Sequence, residues 1–155
     1  MGAKTPPKSG PRRKPTRPTP KPKATRFKPA STFVQADQVV LVPTKGNAKR
    51  GGGPGGEAWR IEADGKRAGV VFINFIDEAP VGQHASIQIY LNTTSQGRRI
   101  GRVAYRKACE ASRYDVIYAH MRKGNDASRR AAEEAGFKDD TRPSMTQLLL
   151  VWRRN

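Results

Sequence analysis

The residues with the clearest capacity for chemistry lie where an apolar run meets an amphipathic one. Ile87, Ile89 and Leu91 alternate with Ser86, Gln88 and Tyr90 as the two faces of a strand do. The chain then turns polar through Asn92-Thr93-Thr94-Ser95-Gln96-Gly97-Arg98-Arg99-Ile100-Gly101-Arg102 before helical spacing sets in. A helix that opens this way leaves its first N–H groups unpaired, and with the helix dipole they form a site for a pyrophosphate. Glycines at 97 and 101 let a ligand or a neighbouring backbone come close. Other phosphate cradles do not match. Gly51-Gly52-Gly53-Pro54-Gly55-Gly56 lacks the Gly-Lys-Ser/Thr ending of a Walker loop and leads into strand-like sequence. A dinucleotide site needs three closely spaced glycines within a βαβ unit, whereas antiparallel strands precede this junction. Cys109 has no base or oxyanion donor near it in sequence and reads as a buried structural thiol.

The elements that must position this junction follow from periodicity. Val39 to Val42 reads as a first strand, and 58–63 with 68–76 as a hairpin turning at Asp64-Gly65. The strand 86–91 follows. A helix is expected from about Gly97 to Ser112, with Ile100, Val103, Ala104, Ala108 and Ala111 inward and Arg99, Arg102, Arg106 and Arg113 outward. Next come a strand at 116–120, a helix capped by Asn125 or Asp126 and stopped at Gly136, and a closing strand at 145–152. Trp59 and Trp152 fall in strand patterns, as core or sheet-face residues. Pro43 to Gly56 holds six glycines and two prolines and is expected to be a flexible loop. The class is α/β or α+β, a mixed sheet with helices packed on it.

At the 96–101 junction the sequence resembles the GCN5-related N-acetyltransferase (GNAT) superfamily. Its acetyl-coenzyme A signature is Gln/Arg-x-x-Gly-x-Gly/Ala after the fourth strand, which Gln96-Gly97-Arg98-Arg99-Ile100-Gly101 matches at its first and last positions. Asn125-Asp126-Ala127-Ser128, followed by Glu133-Glu134-Ala135-Gly136-Phe137, is similar to the family's Asn-led helix closing in Gly-Phe. The resemblance covers about 58–152. It implies a central, mostly antiparallel twisted sheet with two main helices, and acetyl-coenzyme A as cofactor. It further implies that backbone amides of Gln96, Gly97, Arg98, Arg99, Ile100, Gly101 and Arg102 hold the pyrophosphate. Ile89, Tyr90 and Leu91 would run beside the pantetheine, with a strand amide polarising the thioester carbonyl. Asn125 would touch the pantetheine arm or act as a plain helix cap.

Four departures from the family pattern matter. Arg99 stands where the middle glycine belongs. Ala132 occupies the position of the tyrosine that commonly protonates the departing thiolate, and no carboxylate lies between His84 and Leu91 to act as base. A protonated amine must lose its proton before it attacks. His84 fits that task by its titration range, and fits equally a surface or hydrogen-bonded histidine. Ser128, and more weakly Tyr118, are candidates for the acid. The fourth departure is the Gly-rich loop, which takes the place of the family's first two helices and leaves acceptor recognition open or completed by another chain.

Composition bounds the rest. The chain has 155 residues and a net charge of +17, with ten basic residues, no acidic ones and eight of its twelve prolines between Met1 and Pro29. Residues 1–32 are expected to form a disordered, basic, Pro-rich tail and 33–155 the acyltransferase-like domain. The tail suits phosphate tracking on nucleic acid, while a solubilising extension or a localisation signal fits it too. No apolar run could span a bilayer or serve as a secretory signal, so an intracellular, cytoplasmic protein without membrane attachment is expected. One cysteine and two histidines give neither disulfide nor structural metal site. Two functions are open at this point: N-acetyl transfer to an unidentified amine acceptor, or a catalytically weak or inactive module of the same fold that binds nucleic acid through the tail.

Overall fold

A computed structural model describes Gly2 and residues 33–155. Gly2 apart, the tail expected over 1–32 lies outside the described residues. Among the described residues the strands are β1 (Val39–Pro43), β2 (Glu57–Ala63), β3 (Lys66–Glu78), β4 (Gly82–Leu91), β5 (Val116–Met121), β6 (Lys138–Asp139) and β7 (Leu148–Arg153), and the α-helices are α1 (Ile100–Ala111) and α2 (Asp126–Glu134). They form one seven-stranded sheet in the order β1-β2-β3-β4-β5-β7-β6. Every neighbouring pair is antiparallel except β4 and β5. None of these helices is long and apolar enough to cross a membrane.

The expected elements are present with shifted ends. α1 begins at Ile100 rather than near Gly97, because Thr93–Ser95 forms a short 3-10 turn and Arg99, its N-cap residue, lies in the left-handed region at φ +62°. The closing strand begins at Leu148 rather than 145, and the two-residue β6 has too little periodicity to be read from sequence.

Both helices pack on one face of the sheet. Val103, Ala104 and Ala108 of α1, Ala132 of α2 and Phe137 beyond it form one buried cluster with Val71, Ile73, Ile87, Ile117, Ala119 and Leu150. Cys109 is fully buried there. Alternation sends Ser86, His84, Tyr118 and Leu149 to the other face, where Tyr118, Leu149 and Val151 pack with Val81, Val116 and Met145. Arg154 ties down the end of α1 by donating to the carbonyls of Cys109, Ser112 and Tyr114, a cation at the negative end of a helix dipole.

The Gly-rich segment supplies no α-helix, as expected, yet it is anchored rather than free. Gly51 N donates to Asn74 Oδ1 and Asn74 Nδ2 donates to Lys49 O, both at 2.8 Å. Tyr114 donates its hydroxyl to Gly55 O at 2.5 Å, and the Arg50 guanidinium lies 4.8 Å from the Tyr90 ring centre. Positive φ at Gly51 and Gly55 makes these turns possible, since a Cβ at Gly51 would meet the Glu57 carbonyl.

Candidate functional site

The sheet opens where its one parallel pair ends. β4 and β5 pair only through Ala85 with Ile117 and Ser86 with Tyr118. β4 continues to Leu91 and β5 to Met121 with no further pairing between them. A strand whose neighbour has moved away exposes backbone N–H and C=O groups, and a ligand with amide groups of its own can pair with them.

A cleft of about 570 Å³ lies beside this opening. It is lined by Ile89, Tyr90 and Leu91 of β4, by Gln96, Gly97, Arg99, Ile100, Gly101 and Arg102 at the head of α1, and by Asn125 and Ser128 at the head of α2. Every residue expected to hold the coenzyme thus lines one cleft, except Arg98, whose carbonyl accepts from Val34 N at 3.1 Å.

The head of α1 differs in detail from the expectation. Gln96 N is not open to a ligand, because it donates to Thr93 O inside the 3-10 turn. The first-turn amides of Ile100, Gly101 and Arg102 have no side-chain cap and no carbonyl one turn earlier to pair with. The left-handed backbone at Arg99 explains the glycine in the family pattern, since a side chain there costs roughly 1–2 kcal/mol. In this chain Arg99 packs its guanidinium 4.4 Å from the Phe33 ring centre, an attraction worth about 0.5–1 kcal/mol that offsets part of the cost.

Arg102 gives the strongest indication of a missing ligand group. Its Nη1 meets Glu134 Oε2 at 3.6 Å, but its Nε is buried with no acceptor. A buried guanidinium N–H without a partner is costly, and beside uncapped helix amides it suits an anionic acceptor. These donors fit a pyrophosphate and hold nothing that would repel one except Glu134, already engaged by Arg102.

The head of α2 carries two features. Asn125 accepts from Ser128 N at 3.2 Å and so caps the helix, which the capping reading required. Tyr105 of α1 lines the cleft beside Ser128. Burial pushes its phenol up to about 12, against a hydrogen bond with Ser128 that pulls it down. Ala132, where the family's tyrosine would stand, is fully buried in the core. Sequence reasoning missed Tyr105, whose helical position reads as core.

His84 lines neither this cleft nor the surface. It is 4% exposed on the sheet face away from the helices, edge-on to the Tyr118 ring. Its Nδ1 lies 2.7 Å from Gly82 O and its Nε2 lies 2.8 Å from Nε2 of His120 on β5. It is therefore one of a pair. His120 was missed because 36 residues separate the two, and only the β4–β5 adjacency brings them together. His120 lines a second cavity, of about 310 Å³, with Glu78, Ala79 and Pro80 at the β3–β4 turn and Ser144 to Gln147 before β7.

Comparison with known proteins converges on one group. Aminoglycoside acetyltransferase AAC(6')-Ib, in complex with coenzyme A and kanamycin, matches with a TM-score of 0.54 and 16% identity, over 69% of this chain and 70% of that one. The protein yncA from Salmonella typhimurium, with its cofactor acetyl-CoA, matches with a TM-score of 0.53 and 16% identity, over 65% and 66%. An acetyltransferase from Agrobacterium tumefaciens gives 0.53 and 20%, over 64% and 62%. At these identities the likeness establishes the fold. No curated protein sequence matches the chain. A family model matches residues 27–137, well over half of the sequence, and on that match the chain belongs to the Acetyltransferase (GNAT) family.

Proposed function

We propose that the protein is an acetyl-coenzyme A-dependent N-acetyltransferase that passes acetyl directly to an amine. The observation that carries this reading is the buried, acceptorless Nε of Arg102 beside the uncapped amides of α1. An anion there satisfies both, and the family's enzymes take acetyl-coenzyme A. Bound, it supplies an activated acetyl thioester.

The chain's own residues divide the remaining work. The amides of Ile100, Gly101 and Arg102 and the Arg102 side chain hold the pyrophosphate. Ile89, Tyr90 and Leu91, unpaired with β5, line the pantetheine arm and offer backbone groups to it. Asn125 caps α2 at the cleft wall, and its amide nitrogen is left to face the arm. With Ala132 in the core, the hydroxyls of Ser128 and Tyr105, both on the cleft wall, are the candidates to protonate a departing thiolate. On this reading the acceptor approaches from the other sheet face, where His120, two residues past the last β4–β5 pair, lines the second cavity.

The test is release of coenzyme A thiol from acetyl-coenzyme A by the full chain, across small polyamines, lysine peptides and protein N-termini. Amine-dependent release with a matching mass gain of one acetyl on the acceptor supports the reading; tight coenzyme binding without transfer to any amine opposes it. A second reading is favoured by the loss of the family's tyrosine to Ala132: a catalytically weak module that binds nucleic acid through its basic tail. The two readings join if the tail brings the enzyme to a nucleic-acid-associated acceptor, which raises the local concentration of acceptor.

A further inference from the structure

We infer that His120, through its Nδ1, is the group that takes the proton from the acceptor, and that His84 is the positioning residue that orients it; this rests on the acetyl-transfer reading above.

Hydrogen-bond bookkeeping fixes the tautomers. Gly82 O can only accept, so His84 Nδ1, 2.7 Å away, carries the hydrogen and donates. A neutral His84 then has its lone pair on Nε2. The facing Nε2 of His120, at 2.8 Å, must be the donor. The lone pair of His120 is therefore on Nδ1, which has no partner among the described residues. His84 has both nitrogens engaged and is buried, whereas His120 is half-buried and lines the 310 Å³ cavity.

Charge in the cavity suits an ammonium. Glu78, at the end of β3, is the one charged side chain among its lining residues; Ala79, Pro80 and the segment Ser144 to Gln147 bring none. Burial, with His84 alongside, holds His120 below the ordinary histidine range while Glu78 pulls the other way, so Nδ1 is unprotonated at neutral pH. His120 is also two residues past the last β4–β5 pair, at the start of the opening.

The step balances. One N–H proton of the acceptor ammonium passes to Nδ1, and the freed lone pair forms the N–C bond to the thioester carbonyl. The C–S electron pair leaves with sulfur, which takes up the second proton the nitrogen sheds. The His120 imidazolium keeps its Nε2–H donated to His84 and returns the Nδ1 proton to water through the cavity.

The chain has only two histidines, so histidine-labelled protein gives a simple nitrogen NMR spectrum without any ligand. The expected result is an Nδ1–H tautomer for His84, an Nε2–H tautomer for His120, and titration of His120 at Nδ1 below the ordinary histidine range. In steady-state assays His120→Gln should lower kcat at least about 100-fold and remove the acidic limb of the pH profile, with coenzyme affinity unchanged. His84→Ala should also lower kcat, and His84→Gln, whose amide oxygen can accept from His120, should restore it to within about tenfold of wild type. An Nδ1–H tautomer at His120, or an unaffected rate in His120→Gln, overturns the assignment while acetyl transfer stands. Failure of the wild-type chain to bind acetyl-coenzyme A overturns the acetyl-transfer reading itself, and the assignment with it.

Discussion

Replacing Gly101 separates coenzyme binding from folding, because the two should move in opposite directions. A Cβ built at Gly101 lies 3.6 Å from the Ala131 Cβ and 3.9 Å from Leu91 Cδ1, both ordinary contacts. The fold therefore accepts a side chain there. Gly101→Ala should raise stability by up to about 1 kcal/mol, the usual difference between these residues in a helix. Gly101→Glu keeps most of that gain, since a carboxylate in a first helical turn adds about 0.3–1 kcal/mol through the dipole. It also places a negative charge where the pyrophosphate should bind. At an effective dielectric of about 20, two unit charges about 5 Å apart repel by roughly 3 kcal/mol. Coenzyme affinity should then fall by at least about 100-fold. The assay is calorimetric titration with acetyl-coenzyme A at fixed salt, beside thermal melts of wild type and both variants. Gly101→Glu that binds as wild type refutes the placement of the phosphates. Binding lost only together with a lower Tm refutes the claim that the cleft, rather than the fold, was changed.

Other perturbations probe the supports of the site. Asn125→Ala should cost about 1 kcal/mol of stability as a lost cap, and Asn125→Ser should restore the stability but not the coenzyme affinity, read by melts and calorimetry. Tyr114→Phe removes the bond to Gly55 O yet keeps the stack on Phe75, so it should cost about 1 kcal/mol and speed amide exchange in the 44–56 loop. Cys109, fully buried and with its thiol pushed well above the ordinary range by burial, should resist a thiol reagent in the native protein and react on unfolding. Deleting Met1 to Pro29 should weaken duplex binding and flatten its salt dependence, measured by anisotropy across a salt series; unchanged binding would take any nucleic-acid role away from the tail.

The cleft between β4, α1 and α2 was legible because its signals are local. Strand alternation at 86–91, the glycines at 97 and 101, and the Asn125 to Gly136 helix each lie within one segment, and the cleft assembles from them in sequence order. The limits came from backbone detail. A left-handed Arg99 and a 3-10 turn that consumes the Gln96 amide carry no periodic signature, so the helix start was placed three residues early. The histidine face was far less legible. His84 reads as a lone histidine and His120 as no more than the end of a strand, and only a parallel pairing of two residues per strand makes them neighbours. Tyr105 shows the same effect from a helix: its spacing is that of a core residue, and its hydroxyl becomes relevant only because Ser128 packs opposite.

The Gly-rich loop and the histidine pair are linked by what covers the sheet. Both helices pack on one face, so the other face, with Phe72, His84, Tyr118 and Leu149 all buried, needs a cover of its own. Over part of it the cover is the loop after β1, held by Asn74 through Gly51 and Lys49 and by Arg50 on Tyr90. Over the rest it is Val81 and Met145, from two short connections joined by Arg142 donating to Pro80 O. The 310 Å³ cavity sits between those connections and exposes His120. A helix over this face would restrict an acceptor along its whole length, whereas two short connections restrict only the reacting end. If the proposed acceptor site is right, selection of the amine rests on Glu78, His120 and the polar residues Ser144, Thr146 and Gln147, with the remainder of the acceptor left outside. Such a site suits an amine carried on a larger body, and it predicts that exchanging the segment 144–147 changes which acceptors react without altering coenzyme affinity.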